Sequence, residues 1–119
     1  MAESGLPRSI AARSVRFSQN SIGQSFKGGK GSVLQLGQDL ASGQVSPGDL
    51  PPIRLFEQGG DLFSLDNRRL FAGQMANVDL PYRMATQAEL NAELPTKFTT
   101  QNNGTGIEMR GVGDFSWCE

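Results

Sequence analysis

Two adjacent arginines open what the sequence marks as a helix. In Leu65-Asp66-Asn67-Arg68-Arg69, Asp66 is a good N-cap, and Leu70, Phe71 and Met75 recur behind it at helical spacing. The first turn of a helix presents unpaired backbone N–H groups and the positive end of the helix dipole. Forked guanidinium donors at that end suit the oxygens of a phosphate. Arginine is otherwise favoured at helix C-termini, so a pair at the N-terminus is destabilising unless an anion or an acidic partner compensates. Successive helical residues diverge by about 100°, so one arginine can face a pocket while the other braces it. Spacing alone leaves two readings open: a phosphate site, or an Arg–Asp brace with Asp66 or Glu57 as partner.

Composition restricts what such a turn can do. The chain has no histidine and one cysteine, which removes the usual general base, the Ser-His-Asp and Cys-His arrangements, and any cysteine-based zinc cluster or internal disulfide. Cys118, next to the end, reads as an incidental free thiol. Chemistry then rests on carboxylates, arginine, lysine, hydroxyls, or a metal held by oxygen. Magnesium-assisted cleavage of a phosphodiester needs one or two oxygen ligands near the phosphate. Asp66 is the first candidate for metal ligand or base and Glu57 the second, while Asp61 suits the local hydrogen bonding of a turn. Arg16, Ser18, Gln19 and Ser21 form a polar cluster that reads equally as a substrate-binding edge or a capped helix start. Asn67, Lys97 and Thr99 are further candidates to line or close the site, against an ordinary solvated hairpin for the last two. Arg54 and Arg83 flank the turn on strands, with no sign in the periodicity of which face is the pocket face. The net charge of -1 and pI near 5.4 oppose a dedicated nucleic-acid binder but permit a local basic site.

The elements that must hold these residues are short. At 119 residues the chain has room for one modest core, and its 15 glycines and 6 prolines imply many turns. Residues 1–13 read as a linker or disordered tail and 14–119 as one α+β domain. The expected elements are a strand at 14–17, a brief helical turn through Ile22 and Phe26, and a glycine-rich break at 27–31. A helix capped by Ser32 and stopped by Gly43 follows, then a turn at 46–49 and a hairpin of strands 52–57 and 62–65. The Asp66 helix runs to about Ala76, and Asp79–Met84 returns as a strand. Thr86-Gln87-Ala88-Glu89 matches a capping box whose helix Pro95 should end. Lys97–Thr100 and Ile107–Arg110 are expected to pair as a terminal hairpin, and Phe115 and Trp117 to seal a core edge. No apolar run approaches the length of a bilayer span and no segment resembles a signal peptide.

This order of elements resembles the ParB N-terminal-like/sulfiredoxin-like fold over about residues 15–86. The residues that carry the resemblance are Asp49-Leu50-Pro51-Pro52-Ile53-Arg54, the hairpin Phe56–Phe63, the segment Leu65-Asp66-Asn67-Arg68-Arg69-Leu70-Phe71-Ala72, and the following Val78–Arg83. In that family a helix precedes Pro-Ile-x-Val, a hairpin follows, and Gly-x-Arg-Arg-x-x-Ala starts the next helix. The resemblance implies a small α+β fold with a short mixed sheet and three to four helices. It also implies nucleotide or nucleic-acid phosphates bound at the Asp66–Arg69 turn. Asp66 stands where the family often has glycine. No cysteine or histidine lies beside the turn, which argues against sulfiredoxin chemistry, and no helix-turn-helix module follows, which argues against a partition protein. The stretches Val15–Ile22 and Lys97–Gly104 resemble small ParB-like domains at the C-termini of bacterial polymorphic toxins of the Rhs type.

The expectation is therefore a secreted effector domain acting in the target-cell cytoplasm on nucleic acid or a nucleotide, with Mg²⁺-assisted phosphodiester hydrolysis as its reaction and a cognate immunity protein as partner. Arg68 and Arg69 would stabilise the phosphate charge, and Asp66 would bind metal or orient water. The alternatives are a non-hydrolytic nucleotide-binding module, a phosphoryl- or ADP-ribosyl-transferase using the same arginine-lined site, and an inert interaction domain. Oligomeric state is left open.

Overall fold

The computed structural model describes residues 8–26 and 31–117. It is a small α+β domain. Its strands are β1 (Arg8–Ala11), β2 (Arg16–Phe17), β3 (Ser21–Ile22), β4 (Ile53–Gln58), β5 (Asp61–Ser64), β6 (Asp79–Met84), β7 (Ile107–Met109) and β8 (Gly113–Phe115). The helices are α1 (Val33–Ser42), α2 (Asn67–Ala76) and α3 (Gln87–Lys97).

Five strands form a mixed sheet in the order β1-β6-β4-β5-β2, and three form a second sheet in the order β3-β7-β8. The β4–β5 hairpin turns at Gly59 and Gly60, both at positive φ, where glycine avoids the Cβ penalty of the left-handed region. The chain then enters α2 and comes back as β6, parallel to β4 with Ile53 opposite Tyr82 and Leu55 opposite Met84. β2 lies parallel to β5, Arg16 opposite Phe63 and Phe17 opposite Ser64. That pairing brings Ser18 and Gln19 beside the start of α2.

Side-chain alternation splits the hydrophobic residues between the two faces of the sheet. Ile53 and Leu55 of β4 join Val15, Phe17, Val33, Leu70, Phe71 and Leu80 in the larger core, against α1 and α2. Phe56 faces the other way and packs with Phe63 and Leu65, covered by Leu90 and Leu94 of α3. Arg54 shares the Phe56 face, which settles the direction that periodicity left open: it points toward α3. Phe98 stands edge-on to both Phe56 and Phe63, with ring centroids at 5.7 and 5.4 Å. α1 and α2 approach closely where Gly37 leaves room for Met75.

The helix boundaries follow their caps. The Ser32 side chain accepts from Gln35 N, and Gly43 ends α1 at φ 85°. Thr86 and Glu89 form a reciprocal capping box on α3. Asp66 is the N-cap residue of α2, but its side chain makes no capping hydrogen bond, because it is engaged elsewhere. Phe115 and Trp117 stack on each other and edge onto Phe71, closing one end of the larger core as expected.

Four expectations are corrected. Arg8–Ala11, read as tail, is an edge strand antiparallel to β6 with Ile10 opposite Leu80; residues 1–7 lie outside the described residues, as do Cys118 and most of the 27–31 break. Ser21–Ile22, read as part of a helical turn, is a strand parallel to β7, since Ile22 is buried by pairing rather than by helical spacing. Pro95 does not end α3, which runs on to Lys97: so near the C-terminus the proline forfeits little of the helical hydrogen-bond ladder. Finally, β7 pairs with β8 through the turn at Gly111, not with 97–100, whose Thr99 and Thr100 N–H groups both donate to Ser18 O.

Candidate functional site

Asn67 and Ser18 join the start of α2 to the end of β2. Both are buried. Asn67 Oδ1 accepts from Ser18 N at 2.8 Å, and its Nδ2 donates to Ser18 Oγ at 3.0 Å and to Gln19 Oε1 at 3.1 Å. Ser18 Oγ in turn donates to Ser64 O at 2.7 Å. These polar groups are buried but mutually satisfied, so they fix the turn instead of weakening it. The segment after α3 is tied over the same point, with Thr99 Oγ1 accepting from Asn20 N at 2.9 Å. Lys97 is thereby carried to the turn, where its ammonium donates to Leu65 O at 3.0 Å and pairs with Glu93 at 2.9 Å.

The two arginines of the turn part company. Arg69 is a brace: it lies 3.2 Å from Asp66 Oδ1 and donates to Pro51 O at 2.7 Å. Asp66 is held mainly from the other side by Arg54, whose N, Nε and Nη2 donate to it at 2.8, 3.1 and 2.8 Å. Burial pushes the Asp66 carboxyl upward, but the hydrogen bonds from the Arg54 side chain and backbone outweigh it, and the pKa sits below the ordinary aspartate value. Arg54 is raised above its usual value by the Asp66 hydrogen bond, against desolvation, with help from Glu93. Glu93 is lowered by Arg54 first and Lys97 second. Further out, Arg83 pairs with Glu89 at 2.7 Å and draws its pKa down to about 2. Arg54, Arg69, Arg83 and Lys97 thus share Asp66, Glu89 and Glu93 in one network, which largely neutralises itself.

Arg68 stands outside that network. Its Nε is buried with no hydrogen-bond partner, and among the described residues no carboxylate lies within ion-pair distance of it. It lines a cleft of about 460 Å³ together with Gln19, Phe26, Asp66, Asn67, Arg69 and Lys97. The cleft opens at the N-terminus of α2, where the helix dipole adds positive potential. Gln19 gives its Oε1 to Asn67, so its amide N–H groups are what it offers the cleft. The groups the lining offers are therefore donors, from Arg68, Gln19 and Lys97, while the Asp66 carboxylate in the same lining is already engaged by Arg54 and Arg69.

The fold thus brings Asp66, Asn67, Arg68, Arg69, Gln19 and Lys97 to one cleft, with Ser18 buried under it. It does not bring Arg16, Ser21, Thr99 or Glu57 there. Arg16 pairs with Asp61 at 3.4 Å and donates to Asn103 O at 3.0 Å. Ser21 Oγ accepts from Arg110 at 2.7 Å, and Thr99 serves the backbone of Asn20. Glu57 is exposed toward the far end of β4, opposite Leu62. The two expected metal ligands are not brought together. Asp66 directs its oxygens at two arginines, and Glu57 is not beside it, so the pair does not fit a Mg²⁺ ion. Among the described residues no group of three acidic or sulfur- or imidazole-bearing side chains is placed to hold a metal.

Sequence reasoning missed Phe26 as a wall of the cleft and Glu93 as the second partner of Arg54. Glu93 carried a signal, being placed four residues from both Glu89 and Lys97 on one helical face. Phe26 carried none, because its place depends on the bridge of Ser25 to Ser32 and on its own N–H donating to Gly31 O. No helix among the described residues is long and apolar enough to cross a membrane. No protein-family model, curated protein or solved structure matches the chain.

Proposed function

We propose that this cleft binds a phosphate group of a nucleotide or nucleic acid, and that the chain is a ParB-like effector domain acting on such phosphates. The observation that carries the reading is Arg68. A half-buried guanidinium with an unbonded Nε and no acidic partner among the described residues, at the positive end of a helix, is a charge lacking its counter-charge. A phosphate at the cleft supplies it, received by Arg68, the first N–H groups of α2, the Gln19 amide and the exposed part of Lys97. Arg69 and Asp66 hold the turn in place.

The resemblance to ParB-like domains of polymorphic toxins adds the setting: a secreted effector reaching the cytoplasm of a target cell, with an immunity protein whose acidic surface complements the arginine-lined cleft. Phosphodiester hydrolysis is the reaction such a site serves, since a fixed guanidinium is worth most where charge builds on phosphoryl oxygens. Asp66 is not its base. A carboxylate bonded to two arginines with a lowered pKa is a poor proton acceptor. That occupied carboxylate favours, as a second reading, a nucleotide-binding module that does not cleave its ligand.

One experiment separates the readings. The purified chain is incubated with DNA, RNA and nucleoside triphosphates, with and without Mg²⁺, and both binding and cleavage are followed. The effector reading predicts cleavage of one substrate class that Arg68→Ala abolishes. The second reading predicts binding without cleavage, also lost in Arg68→Ala. Ligand binding undiminished in Arg68→Ala overturns both.

A further inference from the structure

The positive charge at this site does not end with Arg68. β3 lies parallel to β7, and just beyond that pairing Arg110 N donates to Ile22 O at 3.0 Å. Gln24 Nε2 donates to Arg110 O at 2.9 Å, so the backbone of Arg110 is fixed from both sides. Its Nη1 donates to Ser21 Oγ at 2.7 Å. Its Nη2 reaches Gly23. A Cβ placed on Gly23 would stand 3.3 Å from Arg68 Nη2 and 3.4 Å from Arg110 Nη2, so the two guanidinium ends converge on one point.

Neither guanidinium has a carboxylate within ion-pair distance among the described residues. Two like charges held this close repel each other, and here no acid stands between them as Asp66 stands between Arg54 and Arg69. The glycine is also not required by its backbone, whose φ lies outside the left-handed region. What its missing side chain does is leave the space between the two arginines open.

We propose that Arg68 and Arg110 form a second anion seat over Gly23, adjoining the cleft, so that the site takes two consecutive phosphates of a diphosphate, with Arg68 shared between them. The inference rests on the phosphate-binding reading of the cleft and names its ligand class. Arg68 belongs to the cleft lining and to the seat alike, and two anions that share one guanidinium fit the short spacing of a diphosphate better than the wider spacing of phosphates along a nucleic-acid strand.

The test compares inorganic phosphate, pyrophosphate and a single-stranded oligonucleotide, titrated calorimetrically into the chain and its variants. Arg110→Gln is expected to weaken pyrophosphate by about tenfold, as for the loss of one charge-assisted contact, and to change inorganic phosphate by less than about twofold. Gly23→Val, which fills the seat and keeps both charges, is expected to do the same; the thermal unfolding of both variants confirms that they are folded. Arg68→Gln should weaken both anions. If Arg110→Gln leaves pyrophosphate unchanged, weakens both anions equally, or weakens only the oligonucleotide, the second seat is overturned while the cleft stands. If the wild-type chain binds none of the three, the phosphate-binding reading itself fails.

Discussion

Replacing Asp66 by asparagine tests whether this carboxylate holds the fold or serves the ligand. Asp66 and Arg54 have side chains only 10% and 18% exposed, so solvent screens their interaction little. The substitution removes the charge that accepts from Arg54 N, Nε and Nη2 and from Arg69, and turns an amide toward donors. Breaking a buried pair from one side costs about 3–5 kcal/mol, because the remaining charge is left uncompensated. Arg54 keeps Glu93 and has Glu89 at 3.6 Å, which places the expected loss at the lower end, about 3 kcal/mol. For a chain of this size that is a fall of about 10 °C in melting temperature. Urea unfolding followed by fluorescence of Trp117 measures it, alongside phosphate binding of the folded protein. The reasoning is refuted if Asp66→Asn unfolds within about 0.5 kcal/mol of wild type yet loses ligand binding, for then the carboxylate acts on the ligand and not on the turn.

Two further outcomes follow from the geometry. Asp66 and Glu93 have folded-state pKa values below their ordinary ones, so the stability they confer is complete above the normal carboxylate range and is lost as pH falls through the lowered values. The urea midpoint should therefore decline from about pH 4.5 downward, less steeply in Asp66→Asn; an equal slope in the two proteins would contradict the network. Gly73→Ala should destabilise although alanine is the better helix former, because its Cβ would stand 2.5 Å from Leu80 Cδ1 and 3.0 Å from Ala12 Cβ. Overpacking at about 1–3 kcal/mol outweighs a propensity gain of about 1 kcal/mol, and a rise in the urea midpoint would show that α2 sits less tightly on β6 than described.

What was legible in the sequence was what local chemistry dictates. Ser32 and Gly43 bound α1 because a side-chain oxygen and a left-handed glycine act on their nearest neighbours, and the Thr86–Glu89 box works in the same way. The β4–β5 hairpin and the start of α2 at Asn67 follow from the paired glycines and from the apolar spacing of Leu70 and Phe71. The residues misread depend on partners far along the chain. Ile10 has a place only because Leu80 lies opposite it, and Ile22 only because Met109 does. At the site, the divergence of Arg68 and Arg69 around the helix was predictable, but which of them found Asp66 was not. That depended on Arg54 arriving from β4 and on Pro51 O facing Arg69. Arg110 was invisible as a neighbour of Arg68, since 42 positions separate them and only the β3–β7 pairing closes the gap.

The proposed phosphate site requires that Arg68, and not its neighbour, carry the ligand's charge. It is tested most directly by the affinity of the wild-type chain for inorganic phosphate and for nucleoside triphosphates, set beside Arg68→Ala and Arg69→Ala, with the unfolding free energy of each. Loss of hydrogen bonds to a charged group at about 1.5–3 kcal/mol predicts that Arg68→Ala weakens binding by about 10- to 100-fold with little change in stability. Arg69→Ala, which loses its bonds to Asp66 and Pro51, should lose stability and keep most of its affinity once folded. The opposite pattern, with binding intact in Arg68→Ala and stability lost instead, would contradict the account.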